Sequence, residues 1–167
     1  MAEKKVKDHL EPYTQAFIEH APFAVMASAD HEGNCDASPK GGEPGFTQVI
    51  DAKTLLMPDV GGNRLFQSFD NFASNPKVGL IFIIPGMDVT VRVNGRARVV
   101  EKSSLVDKGV SVRVHNPDDN AILVQGLEIG IDEAYFHCPR SFQFADLWNT
   151  ARISQNQKRS ISSLRGG

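Results

Sequence analysis

"VGLIFIIPGMDVTVRVNGRARVV", residues 78–100, decides the fold. Val78 to Ile84 is a continuous apolar run, the pattern of a strand buried on both faces. Pro85-Gly86 is a turn signal. From Asp88 to Val100 the chain alternates, with Val89, Val91 and Val93 set against Thr90, Arg92 and Asn94, which predicts a half-buried antiparallel strand. Two strands joined by so short a turn form a hairpin, and the rest of the chain follows the same habit.

Upstream, Val6, Leu10, Tyr13, Phe17 and Ile18 are spaced as one helical face over residues 6–20, and Pro22 stops it. Strands are expected at Phe23–Ala29, Asn34–Pro39, Thr47–Ile50 and Thr54–Met57, separated by the turn residues DHEGN and by Asp51-Ala52-Lys53. Gly61-Gly62-Asn63 is a turn that opens a helix from Arg64 to Ala73, and Asn75-Pro76 ends it. Downstream, Ser103 or Ser104 caps a helix running to about Val114. Leu127–Phe136 alternates as a strand, and Arg140–Trp148 reads as a short helix. Six or so short strands with few helices predict a mainly β, α+β protein: a small antiparallel barrel with helices packed outside. One domain over residues 1–150 and a flexible polar tail over 151–167 complete the expected organisation.

The bulk numbers narrow the function. The chain has 167 residues, 41% hydrophobic and 23% charged, enough for one sizeable core. A net charge of −2 gives no general pull toward nucleic acid or an anionic membrane. The longest apolar run falls far short of the ~20 residues a membrane helix needs. The charged N-terminus MAEKKVKDHLEP does not read as a signal peptide, two cysteines are too few for a disulfide framework, and a cytoplasmic location is the expectation.

The residues that could carry chemistry gather in two glycine-rich stretches. In DASPKGGEPGF, residues 36–46, Lys40 stands at a strand end beside two glycines that let backbone approach a ligand closely. In Gly61-Gly62-Asn63-Arg64 the arginine sits at a helix N-terminus, where free N–H groups and the helix dipole favour an anion. Together they read as two walls of a phosphate site. Neither spacing is a Walker loop, so nucleotide hydrolysis is not expected. A monophosphate on a larger flat group, lying in a cleft between barrel and helix, suits them better. His137-Cys138 lacks the further close-spaced partners a metal site needs, and no metal is expected.

Four stretches in order resemble the pyridoxamine 5′-phosphate oxidase-like flavoproteins: DASPKGGEPGF, LLMPDVGGNRLFQSFDNFASNPKVGLIFIIPG, VTVRVNGRARVV and YFHCPRSFQFADLW. The resemblance covers roughly residues 20–150. It implies an antiparallel split β-barrel, a homodimer, and FMN bound between subunits. Lys40 and Arg64 match the residues that hold the FMN phosphate, with Ser38 and Asn63 as flanking hydrogen-bond candidates. Met57, Pro58 and Asp59 match the strand whose backbone lies along the isoalloxazine edge. Arg92, Arg140 and Trp148 match positions that approach the flavin from the other subunit. The Arg-Leu-x-Pro ending and Arg-x-His substrate motif of true pyridoxamine 5′-phosphate oxidases are missing, so the resemblance does not extend to vitamin B6 as substrate.

The function implied is two-electron flavin chemistry by an FMN-dependent oxidoreductase on a small molecule, with no catalytic side chain identified. Alternatives are an FMN-binding carrier, sensor or stress protein without turnover, and the same barrel holding a deazaflavin or haem.

Overall fold

The computed structural model describes residues 5–61 and 67–165. Seven strands form one antiparallel sheet: β1 (Phe23–Ala29), β2 (Cys35–Gly41), β3 (Gln48–Asp51), β4 (Thr54–Val60), β5 (Lys77–Ile83), β6 (Thr90–Glu101) and β7 (Leu123–His137). The spatial order is β2-β1-β5-β6-β7-β4-β3. Among the described residues, the edge strands β2 and β3 do not pair with each other, so the barrel is split. Helices α1 (Pro12–His20), α2 (Gln67–Ser74), α3 (Lys102–Asp107), α4 (Arg140–Ala145) and α5 (Thr150–Asn156), with a 3-10 turn at Ile161–Arg165, flank the sheet or follow it.

The hairpin predicted from residues 78–100 is the centre of the sheet: β5 pairs with β6 from Lys77↔Arg96 to Phe82↔Val91. β5 is not buried on both faces. Val78, Leu80 and Phe82 are buried, while Gly79, Ile81 and Ile83 on the outer face are only half-buried. The run is continuous because the outer face is apolar as well, and among the described residues that face is only partly covered.

β6 and β7 form the longest ladder, and its curvature has a local cause. Asn94 faces Glu133 but Gly95 faces Ile131, so Asp132 is an extra residue in β7. Such a bulge bends and twists the strands. Gly95 is required there, since a Cβ would collide with the Gly130 carbonyl oxygen. Inside the curve lie Met26, Leu55, Leu80, Phe82, Val93 and Ile129, all fully buried. A satellite cluster of Leu56, Val100, Leu105 and Leu123 seats α3 on the far side.

Several predicted boundaries shift, each for a visible reason. Helix α1 begins at Pro12, a residue suited to the first helical turn because it lacks an N–H. Among the preceding residues Lys7 forms an isolated bridge, exchanging backbone hydrogen bonds with Ala134 of 3.1 and 2.7 Å, before the chain bends at Asp8 and His9. Helix α3 stops soon after Asp107, where Gly109 adopts φ +69°. The β1–β2 turn is closed by Asp30, whose carboxylate accepts from the Glu32 and Asn34 backbone and the Asn34 side chain. The Asn34 hydrogen bonds hold the Asp30 carboxyl below its ordinary value.

Candidate functional site

On β2, Ser38 faces Met26 and Lys40 faces Ala24 across the ladder, and Asp36 faces Ser28. Those β1 partners are buried. Directly paired residues share a sheet face, so Asp36, Ser38 and Lys40 all point to the core side of an edge strand. Core-side positions are ordinarily apolar. Three polar ones in alternation line a cleft where the barrel is open.

The far wall of this cleft is β4. Although β2 and β4 are widely separated in sheet order, the sheet curls so that Lys40's charge acts on the Asp59 carboxyl. Burial raises the Asp59 pKa above the ordinary carboxylate value, while Lys40 and a hydrogen bond with Gln125 oppose the shift. Helix α2 forms a third wall. The Lys40 ammonium lies 5.8 Å from the centroid of the Phe69 ring, and behind it the buried Asn71 amide donates to Ser28 Oγ at 2.9 Å. A half-buried acid and a cation held over an aromatic face thus meet at one opening, with Ser38 two residues before Lys40 on the same face of β2.

The glycine stretch after β4 meets a spatial demand as well. The Gly61 N–H donates to the Ile122 carbonyl at 2.9 Å, and a Cβ on Gly61 would lie 2.7 Å from the Asn120 carbonyl oxygen. The chain can therefore leave β4 pressed against residues 120–122 only because that position is glycine. Asn63 and Arg64, the other half of the predicted phosphate site, lie outside the described residues.

The remaining predicted residues divide. Met57 is buried in the core, and Pro58 is half-buried beside Asp59. Arg92 is on the opposite, outer face of the sheet, between the buried Val91 and Val93, with Nη1 3.4 Å from the Tyr135 hydroxyl. Arg140 is exposed on α4 with its guanidinium 4.9 Å from the Phe144 ring centroid. Trp148 stacks near Phe142 and donates from Nε1 to the Met87 carbonyl at 3.0 Å. One chain therefore brings Ser38, Lys40 and Asp59 together and leaves Arg92 on the other face. His137 and Cys138 are exposed, and among the described residues no group of three or more potential ligands could hold a metal ion.

The sequence pattern marks neither Asn71 nor Gln125 as a site residue, and Phe69 reads there only as part of the apolar face of the helix from Arg64 to Ala73. Gln125 precedes the alternating pattern that marked β7, which in fact begins at Leu123. Asn71 falls on the polar side of the helix pattern, opposite Phe69 and Phe72, and nothing in that pattern marks it as a buried residue.

A second concavity, an open groove of about 660 Å³, lies on the outer sheet face between Ala27, Gly79, Asn94 and Glu133. Its charged groups are already engaged. Lys77 bridges Asp132 at 3.2 Å, and the Asn94 amide donates to Glu133 at 2.9 Å.

A split antiparallel barrel with a polar cleft at its opening defines the class of protein to which this chain is comparable. The family model for pyridoxamine 5′-phosphate oxidase matches residues 10–138, and the chain belongs to that family. No curated protein sequence matches it significantly. Among solved structures, it is similar to an assigned pyridoxamine 5′-phosphate oxidase from Lactobacillus delbrueckii, with 18% identity, TM-score 0.57, and 78% of this chain and 98% of that one covered. An FMN-binding protein from Syntrophomonas wolfei aligns with 13% identity and TM-score 0.55 over 74% and 83% of the two chains. HupZ from Group A Streptococcus aligns with 14% identity and TM-score 0.52 over 75% and 91%. At these identities the structural likenesses show the fold.

Proposed function

We propose that the protein is an FMN-dependent oxidoreductase that works as a homodimer on a small molecule. The observation that carries this reading is the row of polar side chains on the core side of β2, with Lys40 facing Asp59 across the barrel opening. A cation on an edge strand that points inward and, among the described residues, is not neutralised by a tight ion pair suits an anionic group entering the cleft.

The residues fit FMN on chemical grounds. Lys40 and Arg64 would bind the phosphate, with Ser38 and Asn63 adding hydrogen bonds. The β4 segment Met57-Pro58-Asp59 would run along the ring edge and limit water there. When bound, FMN supplies the two-electron transfer. The chain's own residues bind, orient and shield it.

The outer face supports the proposed dimer. Val25, Ala27, Ile81 and Ile83 form an apolar band across β1 and β5, flanked by Arg92 and Tyr135 on β6 and β7. A two-fold partner is the common way to cover such a face. In that arrangement Arg92, Arg140 and Trp148 would reach the cofactor of the second copy. No helix among the described residues is long and apolar enough to cross a membrane, and a cytoplasmic location is proposed with the dimer.

The reading is tested by anaerobic addition of NADH or NADPH to the FMN-loaded protein, followed by air or a panel of small oxidants. Bleaching of the flavin band and its return on reoxidation supports an oxidoreductase. A protein that holds FMN but is neither reduced by any donor nor reoxidised is a flavin-binding protein without turnover.

A further inference from the structure

Helix α2 is buried on two sides, and only one of them is apolar. Phe72 enters the core, and Phe69, three residues earlier on the same stripe, packs against it. A helix seated by that stripe alone would leave position 71 in water. Instead Asn71 is 6% exposed, and its partner Ser28, on the core face of β1, is 5% exposed. The Asn71 amide donates to Ser28 Oγ at 2.9 Å.

Such a pair adds little net stability, because it replaces hydrogen bonds that both groups make to water in the unfolded chain. An apolar pair of similar size would fill the same space. What the polar pair supplies is direction. It sets one atom of α2 at hydrogen-bond distance from one atom of β1, a demand that apolar side chains do not make. A helix displaced from that position would leave both groups buried and unpaired, so the helix has one favoured place on the sheet.

That place bears on the opening of the barrel. Along the core side of β1 and β2, Ser28 faces Asp36, Met26 faces Ser38, and Ala24 faces Lys40. At ~3.3 Å per residue, Ser28 and Ala24 lie about 13 Å apart along the strand. Helix α2 meets both ends of this row. Asn71 is fastened at Ser28, and the Phe69 ring, two residues earlier, stands 5.8 Å from the Lys40 ammonium. A lysine stem is flexible, and an aromatic face gives its ammonium a fixed station.

We infer that Asn71 and Ser28 are positioning residues for the flavin phosphate: their buried hydrogen bond sets where α2 stands over β1 and β2, and so where the Phe69 ring holds the Lys40 ammonium. This rests on the flavin reading above and adds how the phosphate wall is held in place. Neither residue acts on the phosphate directly. Their effect reaches it through Phe69 and Lys40, so it is felt by FMN and not by riboflavin.

The test measures FMN and riboflavin dissociation constants by fluorescence titration for the full-length parent, Ser28→Ala and Ser28→Ala/Asn71→Leu, each with and without Lys40→Ala. Thermal melting of the flavin-free proteins, followed by circular dichroism, checks the fold. The double variant replaces the pair by apolar groups, and its melting temperature should stay near that of the parent. Its FMN affinity should fall roughly tenfold, while its riboflavin affinity changes by less than about twofold. Lys40→Ala should then cost less FMN affinity than it costs the parent, because both changes act on one contact. Should the double variant not fold, Ser28→Ala, the milder change, decides by the same comparisons. A folded variant that holds FMN as tightly as the parent, or that loses both flavins alike, overturns the inference and leaves the flavin reading in place. A loss that simply adds to that of Lys40→Ala overturns it as well, since the pair then acts elsewhere than through the lysine. A parent chain that binds neither flavin overturns both.

Discussion

Replacing Lys40 with alanine is the perturbation with the sharpest expected signature. Lys40 sits on the core side of β2, over the Phe69 ring and within electrostatic reach of Asp59. A charge-assisted hydrogen bond to phosphate contributes typically ~1.5–3 kcal/mol. Removing it should weaken FMN binding by roughly one to two decades, at ~1.4 kcal/mol per decade. A second effect works in the same direction, since without Lys40 the Asp59 carboxylate loses its opposing cation and repels an incoming anion. The assay is fluorescence titration of FMN and of riboflavin, which lacks the phosphate. Lys40→Ala should weaken FMN strongly and leave riboflavin nearly unchanged. Adding Asp59→Asn to Lys40→Ala should recover part of the FMN loss. An unchanged FMN affinity, or an equal loss for both flavins, would refute the phosphate role of this lysine.

Burial lifts the Asp59 pKa in the folded chain, so the folded state holds this proton more tightly than the unfolded one. That contribution is complete below the unfolded value, near 3.9, and is lost as pH rises through the raised folded value. Asp59→Asn should therefore raise the melting temperature of the flavin-free protein at pH 7 and flatten its pH dependence above the ordinary carboxylate range. A melting curve at pH 7 that is unmoved or lower would contradict the desolvation argument. Gly95→Ala puts a Cβ onto the Gly130 carbonyl in the β6–β7 bulge and should cost about 2 kcal/mol or more. For a chain of this size that is a fall of roughly 4–8 °C in melting temperature, and a neutral result would mean that the bulge relaxes freely. Light scattering should give twice the 18.3 kDa chain mass. Ile81→Lys, on the half-buried outer face of β5, should move the protein toward the monomer without unfolding it.

Much of the architecture could be read from periodicity. The 78–100 hairpin, the strand at Phe23–Ala29 and the turn at residues 30–34 follow from alternation and turn chemistry, and the structure keeps all three. What could not be read was curvature. Nothing in the alternation announces that Asp132 is an extra residue, yet that bulge bends the longest ladder of the sheet. The same limit applies to the cleft. Lys40 stood out because a cation beside two glycines is unusual, but its closeness to Asp59 depends on how far the sheet curls. Phe69 and Asn71 looked like ordinary helix residues until α2 was placed against β1 and β2. The tail reads as polar and basic, which predicts flexibility. Its helices at Thr150–Asn156 and Ile161–Arg165 rest on an asparagine cap and short-range turns that a composition-based reading passes over.

The central claim is that the opening of this barrel holds the phosphate of a flavin mononucleotide. The most direct measurement is the absorbance spectrum of the purified protein, followed by titration of any flavin-free fraction with FMN and with riboflavin. The account predicts flavin bands in the blue and near ultraviolet, one FMN per chain, and at least roughly tenfold preference for FMN over riboflavin. A colourless protein that binds neither flavin, or one that binds both equally, would contradict it.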